Sequence, residues 1–443
     1  MVAQPKHTPV DQAADQAVRR SQDYFRRTQH PEGYWWGELE SNPTMEAEYL
    51  MLCYFTGRHD PERWRKVCNY ILSKQRTDGS WGQYYEAPGD LSTSVECYFA
   101  LQLAGHSPDS EPLRKAREFI LSKGGMPKVR IFTKIWLALF GQWDWKGTPN
   151  MPPEMIFLPS WAPFNIYEFA SWARATVVPM LIILTRQPYC PVPESANIDE
   201  LYPSGRGGTD YTLPKPTGGF GWAKGLYWSD KLVGLYQKLP VHPLRGRAEQ
   251  KIMRWVLEHQ EADGSWAGIQ PPWVYSLIAL HTMGYGPGHE AVKKGFQGFE
   301  TFALENEDKC NVQACISPVW DTCIAQLALV ESGVAPDDPM VQSSARWLMD
   351  KQIFAGGDWQ VRAKTVRPGG WSFEFDNQIY PDIDDASIVV MALDQVRLPE
   401  AEESRRADSI LRGVEWMAGM QSKNGGWAAF DKDNNKKYLT KIP

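Results

Sequence analysis

Residues 64–81, WRKVCNYILSKQRTDGSW, contain the pattern that decides the fold. Apolar residues recur every three or four positions up to Gln75, which is typical of an amphipathic helix. A turn signal, Thr-Asp-Gly-Ser, ends the helix, and Trp81 follows where the chain can pack back on it. A second helical segment, LSTSVECYFALQLAG, occupies residues 91–105. The stretch therefore predicts a pair of helices joined by a Gln…Gly-x-Trp turn.

The same turn phrase occurs five times along the chain. The copies end at Trp35, Trp81, Trp266, Trp359 and Trp427, and their glutamines are Gln29, Gln75, Gln260, Gln352 and Gln421. The tryptophans are 46, 185, 93 and 68 residues apart, and the first three distances are near one, four and two units of 46. Such a period indicates helical repeats. We expect the glutamine amides to satisfy helix-end backbone groups while the tryptophans fill the core.

Composition narrows the class of protein. A chain of 443 residues can form two domains, and its net charge of −6 gives no reason to expect nucleic-acid binding. Seven scattered cysteines without C-x-x-C spacing favour free, buried thiols over a disulfide framework or a zinc site. The N-terminus has no apolar signal region, and no apolar run is long enough to span a bilayer.

Residues 369–393, GGWSFEFDNQIYPDIDDASIVVMAL, hold the strongest candidate site. Asp382, Asp384 and Asp385 follow Pro381 at a predicted loop-to-helix junction. Close carboxylates and apolar burial raise pKa values, whereas a helix N-terminus favours anions. If burial and repulsion prevail, one aspartic acid stays protonated at neutral pH and can act as a Brønsted acid. The aromatic residues around it suit an apolar substrate on which positive charge develops.

Two other interpretations fit an acidic motif of this kind. Asp382 or Asp384 can cap the helix while the remaining carboxylates are solvated. For an arbitrary D-x-D-D motif this interpretation is favoured over a catalytic one, because short acidic motifs are common. Clustered carboxylates also suit a hard cation such as Mg²⁺, although the spacing is not that of a calcium loop. The aromatic surroundings favour the acid over both, once the rest of the chain is considered.

Two further segments are candidates for function. Glu46 and Glu48 lie in an apolar helical stretch, TMEAEYLML, where a carboxylate must be paired, protonated or functional. Residues 220–240, FGWAKGLYWSDKLVGLYQKLP, are aromatic-rich and amphipathic with flanking lysines. This pattern suits a helix lying in a membrane surface, and an ordinary core helix fits it equally well.

Together these motifs resemble the squalene–hopene cyclases of bacteria, from about residue 20 to residue 443. The resemblance is carried by the five turn phrases, NIYEFASWARATVV (165–178), GIQPPW (268–273), SPVWDT (317–322) and residues 369–393. It implies an all-α fold of two α/α barrels, the second inserted into the first. Residues 1–39 and 310–443 would form the first, catalytic barrel, which would be incomplete in this chain. Residues 40–309 would form the second barrel, with the segment near 220–240 facing the membrane.

The resemblance also implies a reaction and the residues that perform it. Asp384 would protonate the terminal double bond of squalene, poised by Asp382 and Asp385, to give hopene or hopanol in hopanoid biosynthesis. Carbocations would be stabilised by Trp172, Trp320, Phe373 and Phe430, and the terminal polar network would be Gln270, Glu48, Glu96 and Arg130. No metal or organic cofactor is implied. The enzyme would sit monotopically on the cytoplasmic face of the bacterial membrane, and a homodimer is compatible with the family.

Three departures from the family pattern matter. Phe430 stands where the family has Tyr, and Glu374 replaces a Gln beside Phe373. The chain ends at TKIP, short of a complete cyclase, so we expect an N-terminal portion that is inactive alone. One alternative is a related class II cyclase of a diterpenoid diphosphate or a sesquarterpene. An oxidosqualene cyclase fits less well because its acid motif resembles D-C-T-A-E, and a non-catalytic helical-repeat scaffold leaves the acidic motif unexplained.

Overall fold

Helices dominate the computed structural model of the chain, which describes residues 9–213, 215 and 221–436. The α-helices are α1 (Pro9–Thr28), α2 (Thr44–Phe55), α3 (Pro61–Ser73), α4 (Leu91–Leu103), α5 (Glu111–Ser122), α6 (Ile131–Leu139), α7 (Ser171–Arg186), α8 (Trp222–Gln237), α9 (Arg245–Glu258), α10 (Gln270–Thr282), α11 (Glu290–Phe302), α12 (Pro318–Glu331), α13 (Pro339–Asp350), α14 (Ile383–Gln395) and α15 (Glu400–Met420). Short strands form two antiparallel pairs, β1 (Trp81–Gly82) with β2 (Gly89–Asp90) and β3 (Ala303–Glu305) with β4 (Cys310–Val312). The predicted all-α class is confirmed.

Single turns of 3₁₀-helix occupy many of the connections between these helices. They are Met126–Lys128, Trp145–Gly147, Pro153–Phe157, Ile166–Glu168, Glu194–Ala196, Asp199–Leu201, Arg206–Gly208 and Asp358–Val361. Most of them lie between α5 and α8, where the proline-rich sequence disfavours longer helices.

The chain divides into two compact units. One unit falls within Met1–Glu38 and Ile316–Asn434, and the other within Leu39–Cys315 and Asn435–Pro443. In sequence, the second unit is therefore inserted into the first, as in the two-barrel fold. We refer to them as the outer unit and the inserted unit.

The Gln…Gly-x-Trp turn is a hydrogen-bonded connection between consecutive helices. In the first copy of the inserted unit, Trp81 Nε1 donates to the carbonyl oxygen of Ile71 at 2.7 Å. Gln75 Nε2 donates to the carbonyl oxygens of Gly79 (2.9 Å) and Pro112 (2.8 Å), the latter in the first turn of α5. The turn thus ties the end of α3 to the start of α5, and we call it the Gln–Trp latch.

The latch recurs in both units. Trp35, Trp266 and Trp427 donate to the carbonyl oxygens ten residues earlier, at 2.8, 2.6 and 2.7 Å. Gln29 and Gln260 each bridge a glycine carbonyl in their own turn and a carbonyl in the first turn of α13 or α11, respectively. The expectation that glutamine amides satisfy helix-end groups is confirmed at these positions.

Glycine is required in the latch because the next helix approaches its backbone closely. Gly79 and Gly264 have φ angles of +84° and +96°, a region that side-chain-bearing residues rarely adopt. A Cβ atom on Gly264 would lie 2.1 Å from the carbonyl oxygen of Lys294 in α11. Substitution there would displace the helix that the latch holds.

The predicted fourth copy of the repeat was wrong in its tryptophan. Trp371 Nε1, not that of Trp359, donates to the carbonyl oxygen of Leu348 at 2.7 Å. Gln352 Nε2 bonds to the carbonyl oxygen of Gly369 at 2.8 Å and to a carbonyl of α15 at 2.9 Å. A long insertion therefore separates the glutamine from its Gly-x-Trp, and the indole nitrogen of the buried Trp359 has no acceptor.

Two further expectations concern the cysteines and the possibility of a membrane-spanning helix. The seven cysteines, all in the described part of the chain, are not joined in disulfides, and five of them are buried as the sequence predicts. Within residues 9–213, 215 and 221–436, no helix combines the length and apolarity needed to cross a membrane.

Candidate active site

The acidic motif of the outer unit lies where α14 begins. Asp382 is the N-cap residue, and its Oδ1 accepts the backbone N–H of Asp385 at 2.8 Å. The predicted loop-to-helix junction after Pro381 is therefore confirmed. Asp382 and Asp385 are buried, whereas Asp384 is exposed on the first turn of the helix. The capping interpretation holds for one carboxylate and leaves the other two to be explained.

The two buried aspartates both have raised pKa values. Burial, followed by the negative charge of Asp382, raises the pKa of Asp385 to about 10. Burial also raises the pKa of Asp382, to about 7, although the N–H groups that it accepts oppose the shift. Burial therefore favours a protonated carboxyl group within the Asp382–Asp385 pair at neutral pH.

A backbone hydrogen bond connects the acid motif to Trp371, the tryptophan of the fourth Gln–Trp latch. The backbone N–H of Asp382 donates to the carbonyl oxygen of Trp371 at 2.8 Å, and the two residues form an isolated β-bridge. The Trp371 side chain is fully buried. One residue therefore anchors the acid loop by its backbone and the repeat by its indole.

Backbone hydrogen bonds also bring three predicted aromatic residues to the motif. The N–H of Ile383 donates to the carbonyl oxygen immediately before Phe430 at 2.8 Å. The N–H immediately before Trp320 donates to the carbonyl oxygen of Phe373 at 3.1 Å. All three aromatic side chains are partly exposed. The structure therefore places Trp320, Phe373 and Phe430 on segments bonded to one another or to the start of α14.

Glu374 adds a buried carboxyl group to this region. Its exposure is 1%, and burial holds its pKa well above the ordinary range, against the opposing amide hydrogen bond of Asn377. Burial therefore disfavours the ionised form of this expected extra carboxylate. Among the residues that the structure describes, no three His, Cys, Asp or Glu side chains are grouped as ligands for a metal ion.

The inserted unit assembles three of the four predicted polar residues. Arg130 Nη2 lies 3.3 Å from Glu96 Oε1, which also accepts the hydroxyl of Thr133. Burial raises the pKa of Glu96, and the Arg130 charge opposes that shift. Burial and the charge of Glu96 raise the pKa of Glu48 well above its ordinary range. The network therefore combines a Glu96–Arg130 salt bridge with a second buried carboxyl group, Glu48, whose pKa is also raised.

Gln270, the first residue of α10, contacts α2, the helix that carries Glu48. Its Nε2 donates to the carbonyl oxygen of Met45 at 2.7 Å, one turn before Glu48 on α2. Its Oε1 is buried without a donor. Trp172 occupies the first turn of α7, is 38% exposed, and lies on a helix that packs against α10.

Two residues of these groups, Tyr275 and Asn377, were not predicted from the sequence. Tyr275 of α10 is buried, its ring lies 5.6 Å from that of Trp136, and its pKa responds to the charges of Glu48 and Glu96. Its position five residues after Gln270 was the available signal. For Asn377 the available signal was that a buried Glu374 carboxyl group needs a hydrogen-bond donor close by in the sequence.

Glu46, the other acid singled out on α2, has a structural role. It is 1% exposed, and its Oε1 accepts the N–H of Val312 in β4 at 2.9 Å. Burial raises its pKa from 4.5 to about 8. It therefore holds a strand of the inserted unit and is protonated at neutral pH.

We expect Glu46→Gln to flatten the pH dependence of stability. Because the folded-state pKa is raised, Glu46 contributes stability that is full below pH 4.5 and is lost as the pH rises to 8. Relative to the parent, the variant should gain up to about 1.4 kcal/mol of unfolding free energy per pH unit across this window. Urea unfolding at several pH values measures it, with the exposed Glu258→Gln as control. A constant difference between Glu46→Gln and the parent would refute the assignment.

Comparison with known protein families matches both parts of the chain. The model described as "Squalene-hopene cyclase N-terminal domain" matches residues 18–308, and "Squalene-hopene cyclase C-terminal domain" matches residues 316–443. The first match alone covers more than half of the chain, and the boundary between the two models falls close to a boundary between the two units.

Individual relatives agree with the family models. The chain is 46% identical to the squalene–hopene cyclase of Alicyclobacillus acidocaldarius over 96% of its length, 40% identical to the dammaradiene synthase of Dryopteris crassirhizoma over 97%, and 38% identical to a squalene hopane cyclase of Aspergillus fumigatus over 93%. It spans 66%, 62% and 56% of the lengths of these relatives. The chain belongs to the squalene–hopene cyclase family.

Proposed function

We propose that this chain carries the proton donor of a class II cyclase that converts squalene to hopene or hopanol. The observation that carries the proposal is the division of labour within the acid motif. Asp384 is exposed and can meet a substrate, whereas Asp382 and Asp385 are buried and bonded to each other. The outer unit is accordingly assigned as the catalytic barrel.

The chemistry needs a strong acid in an apolar setting, because an alkene carbon is a very weak base. The Oδ–H bond of Asp384 breaks while a C–H bond forms at the terminal alkene, which leaves a carboxylate and a carbocation. Neighbouring double bonds of the substrate then attack the cation in turn and close the rings. Loss of a proton from the final cation gives an alkene, and addition of water followed by proton loss gives an alcohol.

Aromatic faces stabilise the positive charge as it moves. A cation over a desolvated aromatic ring gains roughly 0.5–2 kcal/mol, and preorganised π faces need no reorganisation when the charge arrives. Phe373, Phe430 and Trp320 are assigned this role in the outer unit, and Trp172 in the inserted unit. Phe430 supplies a π face but no hydroxyl group.

We assign termination of the reaction to the polar network of the inserted unit. Glu96 and Arg130 form an ion pair that can order water, and the neutral Glu48 adds a hydrogen-bond donor beside them. Gln270 presents a buried oxygen that lacks a donor. These groups are suited to accept a proton or to position a water molecule, whereas a carbocation far from them would continue to cyclise.

Turnover of squalene in detergent tests the proposal directly. The chain is assayed as it stands and joined to the C-terminal third of the Alicyclobacillus relative, because it spans 66% of that protein. Gas chromatography with mass spectrometry should show pentacyclic products. A second outcome is a folded chimera that leaves squalene unchanged and instead cyclises a polyprenyl diphosphate or a sesquarterpene precursor. That result would support a related class II cyclase. Tetracyclic products from squalene would indicate that the reaction terminates at an earlier cation.

We further propose that α8 places the protein on a membrane surface. Trp228, Leu232 and Leu235 are 61%, 68% and 64% exposed, and their spacing puts them on one helical face. Lys231 is exposed beside them, as expected for an interfacial helix. Phe220, which belongs to the same predicted segment, lies outside the described residues. Location on the cytoplasmic face and formation of a homodimer stay predictions.

We expect Leu232→Glu with Leu235→Glu to weaken binding to lipid vesicles. Burying each leucine is worth about 1.5–3 kcal/mol, so the partition coefficient should fall at least about tenfold. Co-sedimentation with vesicles measures the effect. Leu411→Glu, at an exposed leucine of α15 in the outer unit, is the matched control. Equal losses in the two variants would contradict the assignment of α8.

A further inference from the structure

Two buried polar side chains beside the acid motif have complementary unsatisfied atoms. Glu374 and Asn377 are each 1% exposed, and Asn377 Nδ2 donates to Glu374 Oε2 at 3.1 Å. This bond leaves Glu374 Oε1 and Asn377 Oδ1 buried without a donor. An unsatisfied buried oxygen loses the hydrogen bonds that water would give it, so two of them in one pair call for an explanation.

A proton on Glu374 would supply the donor that this pair lacks. If Glu374 carries a proton on Oε1, that group can donate to Asn377 Oδ1 while Nδ2 donates to Oε2. The result is a carboxylic acid paired with an amide through two antiparallel hydrogen bonds. An ionised Glu374 would provide no donor for Asn377 Oδ1 and would place a charge in the interior with one hydrogen bond, which is costly.

We propose that Glu374 and Asn377 form a neutral acid–amide pair that keeps a third negative charge away from the acid motif. Glu374 is then a positioning residue for Asp384, and this part of the inference rests on the proposed function. The Gln that the family resemblance places here would form the same two bonds through its own amide. Glutamate can replace it only if it stays protonated, because a carboxylate would raise the pKa of the neighbouring acids and weaken the proton donor.

The charged groups near Glu374 are consistent with a neutral carboxyl group. Asp382 and Asp385 lie close enough that their negative charges raise its pKa further. A cation on an adjoining element, Lys351, is engaged elsewhere, because its Nζ is hydrogen-bonded to the carbonyl oxygen of Phe375 at 3.0 Å. Asp376 in the same turn adds negative charge, not positive. The surroundings therefore contain little that would stabilise a Glu374 carboxylate.

Infrared difference spectroscopy at pH 7 tests the protonation state without turnover. Glu374→Gln should remove intensity from the carboxylic-acid C=O band, whereas the exposed Glu258→Gln control should change only the carboxylate bands. A Glu374→Gln spectrum that changes only in the carboxylate bands would overturn the proposal. Because squalene is absent from this measurement, its failure is distinguishable from a failure of the proposed function.

Exchanging the two side chains tests the positioning role. Asn377→Asp puts two carboxyl groups in the pair, so we expect a pKa rise of about one unit in the acid motif and an approximately tenfold lower kcat/KM at pH 7. The pH at which activity is lost through deprotonation of the donor should also rise by about one unit. The double variant Glu374→Gln with Asn377→Asp rebuilds the acid–amide pair with the roles exchanged, and most of the activity should return. A double variant as impaired as Asn377→Asp would refute the proposal.

Discussion

Asp384→Asn is expected to abolish cyclisation, with kcat/KM at least about 10³-fold lower, because positioned general acids contribute about 10²–10⁴-fold and the amide has no proton to give. The substitution preserves size and the position on the first turn of α14. Asp384 is exposed, so its replacement should leave the free energy of unfolding nearly unchanged. A loss of activity without a loss of stability separates a proton donor from a structural cap.

The matched control is Asp394→Asn, which changes another exposed aspartate of the same helix. Its product yield from squalene should equal that of the parent. The assay is product formation by the folded chimera, followed by gas chromatography with mass spectrometry. If Asp384→Asn retained substantial conversion, one of the two buried aspartates would have to be the donor, and the division of labour proposed for the motif would fail.

Trp371→Ala is expected to lower the free energy of unfolding of the outer unit by about 3–5 kcal/mol, the usual cost of truncating a buried large aromatic side chain. Trp371 is fully buried, its indole closes the fourth Gln–Trp latch on Leu348, and its carbonyl oxygen accepts the N–H of Asp382. The loss should also loosen the start of α14, so activity should fall with stability.

Trp427→Ala provides the comparison, because Trp427 makes the same indole hydrogen bond but is 49% exposed. Less apolar area is buried there, so its loss should cost clearly less. Urea unfolding followed by circular dichroism measures both variants without depending on tryptophan emission. Equal destabilisation by the two substitutions would show that the latch, and not the burial of its ring, sets the stability.

The repeat was predictable because its determinants are local. A glutamine at a helix end, a glycine with positive φ and a tryptophan that bonds back ten residues all lie within one short phrase. In the fourth copy, the local phrase alone predicts the wrong tryptophan. The insertion between Gln352 and Gly369 separates the parts of one latch, and the buried Trp359 stands at the spacing that Trp371 would otherwise occupy. Only tertiary hydrogen bonds distinguish the two tryptophans.

The acid site was predictable in composition but not in proton location. Three adjacent aspartates with aromatic neighbours indicate a poised acid, yet which carboxyl group is buried depends on the direction of each side chain at the start of α14. Asp382 turns back to cap the helix, Asp385 follows it into the interior, and Asp384 faces outward. The pairing of Glu374 with Asn377 was likewise not predictable, because irregular loops have no residue period that indicates which side chains meet.

The latch between Gln29 and α13 has a consequence for biosynthesis. Its two ends, Gln29 Nε2 and the carbonyl oxygen of Met340, are separated by 311 residues. At a translation rate of roughly 5–20 residues per second, α1 waits about 15–60 s on the ribosome before its partner helix exists. The main segment of the inserted unit, Leu39–Cys315, is synthesised before that moment. Folding during translation should therefore run from the middle of the chain outward, with the earliest helix synthesised among the last to find its place.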